Sequence, residues 1–322
     1  MPKTCSEAAT RVSLNGVTMA TRWSVTADVG PGLDLDVLYA ALQAAVDEVD
    51  AQMSPWKPDS DLVRLNRAPA GAWVGLPPAI MEVLARAVQV CRLSDGAFDP
   101  AVGDLVDAWG FGAAREEPDA DAIRAARGQA RAPCHQWLDL DEAAGRVRKL
   151  GPLQLDLCGI AKGYAVDRMV EVLRRHGVAH ALAALDGELR ALGPQADGRP
   201  WPVAVESPQA GRRAVHGVVG MEDVAVATSG DYRRFMRLGD LRLAHTIDSR
   251  RGAPVLNNIA SVTVLAPTCI DADAWATALL VAGPERGLLL ARRLGLDVLM
   301  LLRRGNGIAE VGLGRFGTVA GE

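Results

Sequence analysis

The chain has 322 residues, of which 49% are hydrophobic and 23% charged, and its net charge is −4. That composition supplies a generous core and excludes a disordered protein. The acidic balance, with no basic face carrying interleaved aromatics, argues against nucleic acid, and no run of about 18 apolar residues offers a membrane span.

The five cysteines are odd in number and widely spaced. None forms a C-x-x-C pair, so neither a zinc site nor a disulfide framework is expected. His176 and His180 are four apart, but Gly177 between them argues against one helix presenting both to a metal. The opening residues lack the apolar core of a signal peptide, so the chain as written is expected in the cytoplasm, or in the periplasm if a longer precursor exists.

In chain order, residues 12 to 29 read as strand, turning at Asn15-Gly16. Asp34 or Asp36 caps a helix striped by Val37, Leu38, Ala41, Leu42, Ala45, Val46 and Val49. The corner Met53-Ser54-Pro55-Trp56-Lys57-Pro58 follows, then a short helix over 59–66. A second helix runs from Pro78 to Ser94, opened by proline. Gly96-Ala97-Phe98-Asp99-Pro100 and a glycine cluster at 103–112 come next, then a surface helix opened by Pro118-Asp119. Residues 136–140 and 146–150 read as a hairpin.

The segment 153–157 alternates apolar and polar like a strand. It turns through Gly159 and Gly163 and leaves as a helix through Tyr164, Met169, Val172 and Leu173. Unpaired N–H groups at such a helix start, with Lys162, suit a phosphate; packing and solubility explain the same corner. Further strands are expected at 181–185, 202–206, 214–220, 223–228, 241–247, 261–265, 298–303 and 307–311. Helices are expected at 270–282 and 286–294. Helices and strands do not alternate one for one, so the fold class is α+β, with largely antiparallel sheets and packed helices.

Asp273 and Thr277, four apart, stack their oxygens on one helical face. A carboxylate and a hydroxyl so placed can hold Mg²⁺ with waters or substrate phosphates completing the shell. Alternatively Asp271 caps the helix, Asp273 favours its positive end and Thr277 bonds back to a carbonyl. His245, near a strand end and three residues before Asp248, can take a proton from an incoming nucleophile, or can be a hydrogen-bonded turn residue. Thr228-Ser229-Gly230 can meet a phosphate or simply end a strand. Trp56 and Phe98 can stack on a flat heterocycle or plug the core.

Together and in register, these segments resemble the ApbE-like family of FAD:protein FMN transferases, from about Met19 to Gly283. The resemblance rests on Met19-Ala20-Thr21, Met53-Ser54-Pro55-Trp56 with Ser60 to Asn66, Gly96 to Pro100, and Asp156 to Asp167. It continues through Thr228-Ser229-Gly230-Asp231-Tyr232, His245-Thr246-Ile247-Asp248, and Asp273 to Thr277. It implies an ApbE-like (T-fold-like) architecture over 1–322, as one domain or two intimately packed lobes. It implies that Met19, Trp56, Ala97, Phe98, Asp99, Asp156, Lys162, Ser229 and Ile247 meet FAD. Asp273, Thr277 and the carbonyl of Gly159 would hold Mg²⁺, and His245 or Asp248 would act as base. The implied reaction moves FMN from FAD to a threonine or serine hydroxyl of an acceptor in a redox or electron-transfer system, releasing AMP. Pyrophosphatase action on FAD, or flavin binding and delivery without catalysis, are the alternatives. Cys158, Asp186 and Ser249 depart from the family's usual small residue, glycine and proline.

Overall fold

A computed structural model describes residues 9–115, 117–129, 131–208, 214–231, 235–238, 241–305 and 307–317. Its centre is an eight-stranded sheet whose spatial order is also its order along the chain. The strands are Thr10–Thr18, Thr21–Val29, His180–Leu185, Glu188–Leu192, Ala225–Gly230, Ile259–Ala266, Asp297–Arg304 and Gly307–Leu313. Every neighbouring pair is antiparallel, which bears out the expected α+β class.

The strand Ile259–Ala266 is buried along its whole length, so both faces of the sheet are covered where it runs. On one face lie the helices Ala161–Arg175 and Cys269–Ala282, sharing a core with Val262, Val264, Ala225 and Ala227. The other face meets the hairpin of Trp201–Glu206 and Val215–Met221, where Trp201, Val203 and Met221 pack on Val226 and Leu265. Cys269–Ala282 buries eleven of its fourteen residues and has no polar face. It is an inner helix, and a helix apolar all round belongs inside.

Its crossing with Ala161–Arg175 is set by Gly163. A Cβ there would lie 2.3 Å from the Cys269 carbonyl oxygen and 2.8 Å from Asp273 Cβ, so only glycine lets the two backbones meet. The start of Cys269–Ala282 is capped from a distance: Asp167 accepts from the N–H groups of Cys269 (2.8 Å) and Ile270 (2.9 Å). Asp271, offered as one alternative for the cap, pairs with Arg86.

Two expected elements differ. The first hairpin turns at Met19-Ala20, both at positive φ, and not at Asn15-Gly16, which lie inside the strand opposite Ser24 and Trp23. Asn-Gly is the stronger local turn signal. Here tertiary packing overrides it, because a Cβ on Gly16 would lie 2.4 Å from the Gln43 amide oxygen and 2.5 Å from the Trp23 indole nitrogen. The segment 153–157 is extended but joins no sheet. Its backbone bonds go to Asn66, which accepts from Leu155 N and donates to Leu155 O, both at 2.8 Å, and to the Pro100 and Gly103 backbones.

Candidate functional site

A cavity of about 1270 Å³ opens where the two inner helices, the sheet and three loops meet. That exceeds the ~300–1,000 Å³ usual for small-molecule pockets and suits a dinucleotide. Met19, Trp56, Ala97, Phe98, Asp99, Asp156, Gly159, Lys162, Ser229, His245, Ile247, Asp273 and Thr277 all line it. Of the residues expected at the site, Asp248 alone does not. Its buried carboxylate accepts from Arg250, through the backbone N–H and Nε at 3.0 Å and through the guanidinium at 3.2 Å. Asp248 closes the turn that follows it, accepting from Arg251 and Gly252 N–H through its backbone carbonyl, and does not line the cavity. Tyr232 lies outside the described residues.

The cavity's walls come from different parts of the chain. Trp56, half-exposed on the corner after the helix Leu35–Met53, forms part of the rim. That corner is tied by Ser60, whose hydroxyl donates to Ser54 O (2.7 Å) and caps the helix Asp61–Arg67. Phe98 is buried. Asp99 beside it accepts from the N–H groups of Ala101 (3.0 Å) and Cys134 (3.2 Å). Burial raises the Asp99 carboxyl above its ordinary value against those two bonds. Asp156 accepts from Cys158 N–H (2.7 Å), and burial raises it as well.

The innermost corner is electrostatic. Asp273 is buried, and its Oδ2 accepts from Gly163 N–H at 3.0 Å. Thr277, one turn on, shares a hydrogen bond with Ser229 (Oγ1 to Oγ, 3.1 Å). Gly159 packs against it, since a Cβ there would lie 3.2 Å from Thr277 Oγ1. The three expected metal-holding residues are thus brought together by the helix crossing. Burial first, and the Glu188 carboxylate second, push the Asp273 carboxyl up to about 7 against the pull of Lys162 and Gly163 N–H.

Lys162 bonds both oxygens of buried Glu188 at 2.8 Å, with Asp186 at 3.9 Å. Burial lowers the ammonium's pKa, but Glu188, Asp273 and Asp186 outweigh it and hold the group above its ordinary value. Glu188 was not legible as a site residue; the only signal was an acid directly after the Asp186-Gly187 turn. The helix start is also less open to phosphate than expected. Ala161 N–H donates to Leu157 O (2.9 Å), Tyr164 N–H to Ile160 O (3.1 Å), and Gly163 N–H to Asp273.

Glu188 and Asp186 therefore pair with the ammonium at the head of the cavity, and Asp273 acts on it through its charge. A corner of carboxylate and hydroxyl oxygens fits a hard divalent cation. Among the described residues no three His, Cys, Asp or Glu side chains are grouped for a metal. An ion held here would draw its remaining ligands from hydroxyl, carbonyl, water and substrate oxygens. Among the described residues no helix is long and apolar enough to cross a membrane.

Comparison with known proteins finds relatives over most of the chain. The sequence profile described as the ApbE family matches residues 19–300. The FAD:protein FMN transferase of Klebsiella pneumoniae (strain 342) is 34% identical over 308 residues, covering 94% of this chain and 87% of its own. The crystal structure of the Pseudomonas stutzeri flavinyl transferase ApbE, apo form, superposes with a TM-score of 0.84 at 36% identity, over 95% of each chain. The flavin transferase ApbE from Vibrio cholerae gives 0.85 at 32% identity, over 94% of this chain and 97% of that one.

Proposed function

The chain belongs to the ApbE family, and on that premise we propose that it is an Mg²⁺-dependent FAD:protein FMN transferase. It moves FMN from FAD to a threonine or serine hydroxyl of an acceptor protein and releases AMP. The observation that carries this reading is the anionic corner of Asp273, Thr277 and Gly159 at the head of a cavity large enough for FAD.

FAD enters with its flavin against the wall that includes Trp56 and Phe98 and its diphosphate toward Thr277 and Asp273. Asp273, Thr277 Oγ1 and the Gly159 carbonyl would hold Mg²⁺. Bound there, the ion would neutralise diphosphate charge and ease departure of AMP. Ser229 orients Thr277 through their hydrogen bond, and Gly163 N–H orients Asp273.

The acceptor hydroxyl oxygen attacks the phosphorus on the FMN side. Its proton passes to His245, and the bond from that phosphorus to the oxygen of AMP breaks. The products are a phosphoester-linked FMN and AMP. Transfer to water is the same chemistry with a smaller nucleophile.

The test incubates the protein with FAD, Mg²⁺ and a candidate acceptor, and follows AMP release and in-gel flavin fluorescence that survives denaturation. Fluorescent acceptor is expected with the parent chain and none with Asp273→Ala. AMP and free FMN without labelled acceptor would make the protein a pyrophosphatase. Tight FAD binding with no AMP would make it a carrier.

A further inference from the structure

Lys162 and Asp273 both line the cavity, on either side of the close contact between the two inner helices. Lys162 precedes Gly163, whose N–H already rests on Asp273 Oδ2 at 3.0 Å and whose Cα faces the Cys269 carbonyl and Asp273 Cβ. A lysine ammonium on a flexible stem of four carbons is a mobile point charge. A buried carboxylate draws such a charge strongly, because little water screens the pair. Lys162 resting on Asp273 would occupy the oxygen a cation needs.

The structure has Lys162 elsewhere. Both oxygens of Glu188 lie 2.8 Å from Nζ, and Glu188 is 3% exposed. Glu188 is the first residue of its strand, paired with Leu185 across the two-residue Asp186-Gly187 turn, so its backbone is fixed by the sheet. Two charge-assisted hydrogen bonds from a rigid strand outcompete a swing toward the neighbouring helix. Asp186, at 3.9 Å, adds a weaker pull on the same side.

We propose that Glu188 is a positioning residue that withholds Lys162 from Asp273 and so keeps Asp273 available to a divalent cation. The inference rests on the metal corner of the proposed function. It differs from a structural role for the ion pair, which would make Glu188 matter for folding and leave metal affinity untouched.

The test is titration of the full chain with Mn²⁺ alone, reading free Mn²⁺ by electron paramagnetic resonance, with circular dichroism as the check on folding. Glu188→Gln releases Lys162 and is expected to weaken Mn²⁺ binding at least tenfold. Adding Lys162→Met to it removes the competitor and is expected to restore affinity to within threefold of the parent. Unchanged affinity in Glu188→Gln, or a double variant as weak as the single one, overturns the proposal. Should Glu188→Gln fail to fold, Glu188→Asp draws the carboxylate back by one methylene. At least a threefold loss is then expected, and parental affinity overturns the proposal. A parent that releases AMP and binds Mn²⁺ as well as Glu188→Gln does leaves the transferase reading standing without this inference. A parent that neither binds Mn²⁺ nor releases AMP from FAD removes the reading beneath it.

Discussion

Gly163→Ala tests whether the site is built by a helix crossing or merely located near one. In an exposed helix interior the change stabilises by about 1 kcal/mol, because alanine restricts the unfolded chain and favours helix. Here the new Cβ would sit 2.3 Å from the Cys269 carbonyl oxygen and 2.7 Å from its carbon, well inside the 3.0 Å that Cβ atoms respect. Both are backbone atoms, so no side chain can rotate away, and the two helices must separate. Overpacking of this kind costs about 1–3 kcal/mol, or more where backbone must move. The clash wins, and a net loss of about 1–2 kcal/mol is expected. For a protein of this size that is a fall in Tm of about 1.5–3 °C. Separation also draws Gly163 N–H from Asp273 and shifts the carboxylate relative to Thr277, so AMP release from FAD should fall at least tenfold at a temperature where the variant is folded. Thermal unfolding by circular dichroism and an AMP assay decide it. A Tm equal to or above the parent's would refute the crossing as the determinant. A lowered Tm with full activity would refute the link from crossing to site.

Three further perturbations separate the remaining contributions. Thr277→Val keeps the shape but removes the hydroxyl shared with Ser229; stability should drop by about 1 kcal/mol, and AMP release should fall at least a hundredfold at fixed Mg²⁺, whereas an active variant would remove Thr277 from the metal corner. Asn66→Asp cannot donate to Leu155 O, so a loss of about 1–3 kcal/mol in urea unfolding is expected, with weaker FAD binding measured by fluorescence quenching; unchanged stability would mean Asn66 does not hold the turn before Gly159. Asp28 is depressed below its ordinary value chiefly by the Arg11 guanidinium, with the Ala196 N–H adding to it. A lowered folded pKa stabilises above the unfolded value of about 4 and is lost as pH falls through the folded one. Asp28→Asn should therefore be less stable than the parent at pH 7, with the gap closing below about pH 4. A gap that widens in acid would contradict the sign.

Much of the fold was legible because its signals are local. The helices Leu35–Met53 and Pro78–Leu93 carry their stripe and their start signals within their own sequence, and Asp34 caps the first as expected. What sequence reading missed depends on partners far along the chain. Residues 153–157 alternate because they are extended with one side buried. That alternation cannot tell a sheet neighbour from the Asn66 side chain, 89 positions away from Leu155. The cap of Cys269–Ala282 comes from Asp167, 102 positions before it, where local reading offers only the nearer Asp271 as a cap. The Asn15-Gly16 turn fails for the same reason, since Trp23 and Gln43 occupy the space that decides it.

The site divides along the same line. Asp273 and Thr277 were readable because a spacing of four on one helix fixes their relation before any tertiary contact forms. Their surroundings were not, because a helix buried all round gives no periodicity to say which face meets the cavity. That face is chosen by two contacts with other elements, Gly163 against the start of the helix and Ser229 against Thr277. Each turns an oxygen pair found in many helices toward one cavity. The charge at that point then follows from burial: an aspartate placed so deep beside the Glu188 carboxylate is held above its ordinary pKa, and the proposed cation would favour its ionised form. The chemistry proposed for this corner thus depends on how closely two helices cross, a quantity that one missing Cβ controls.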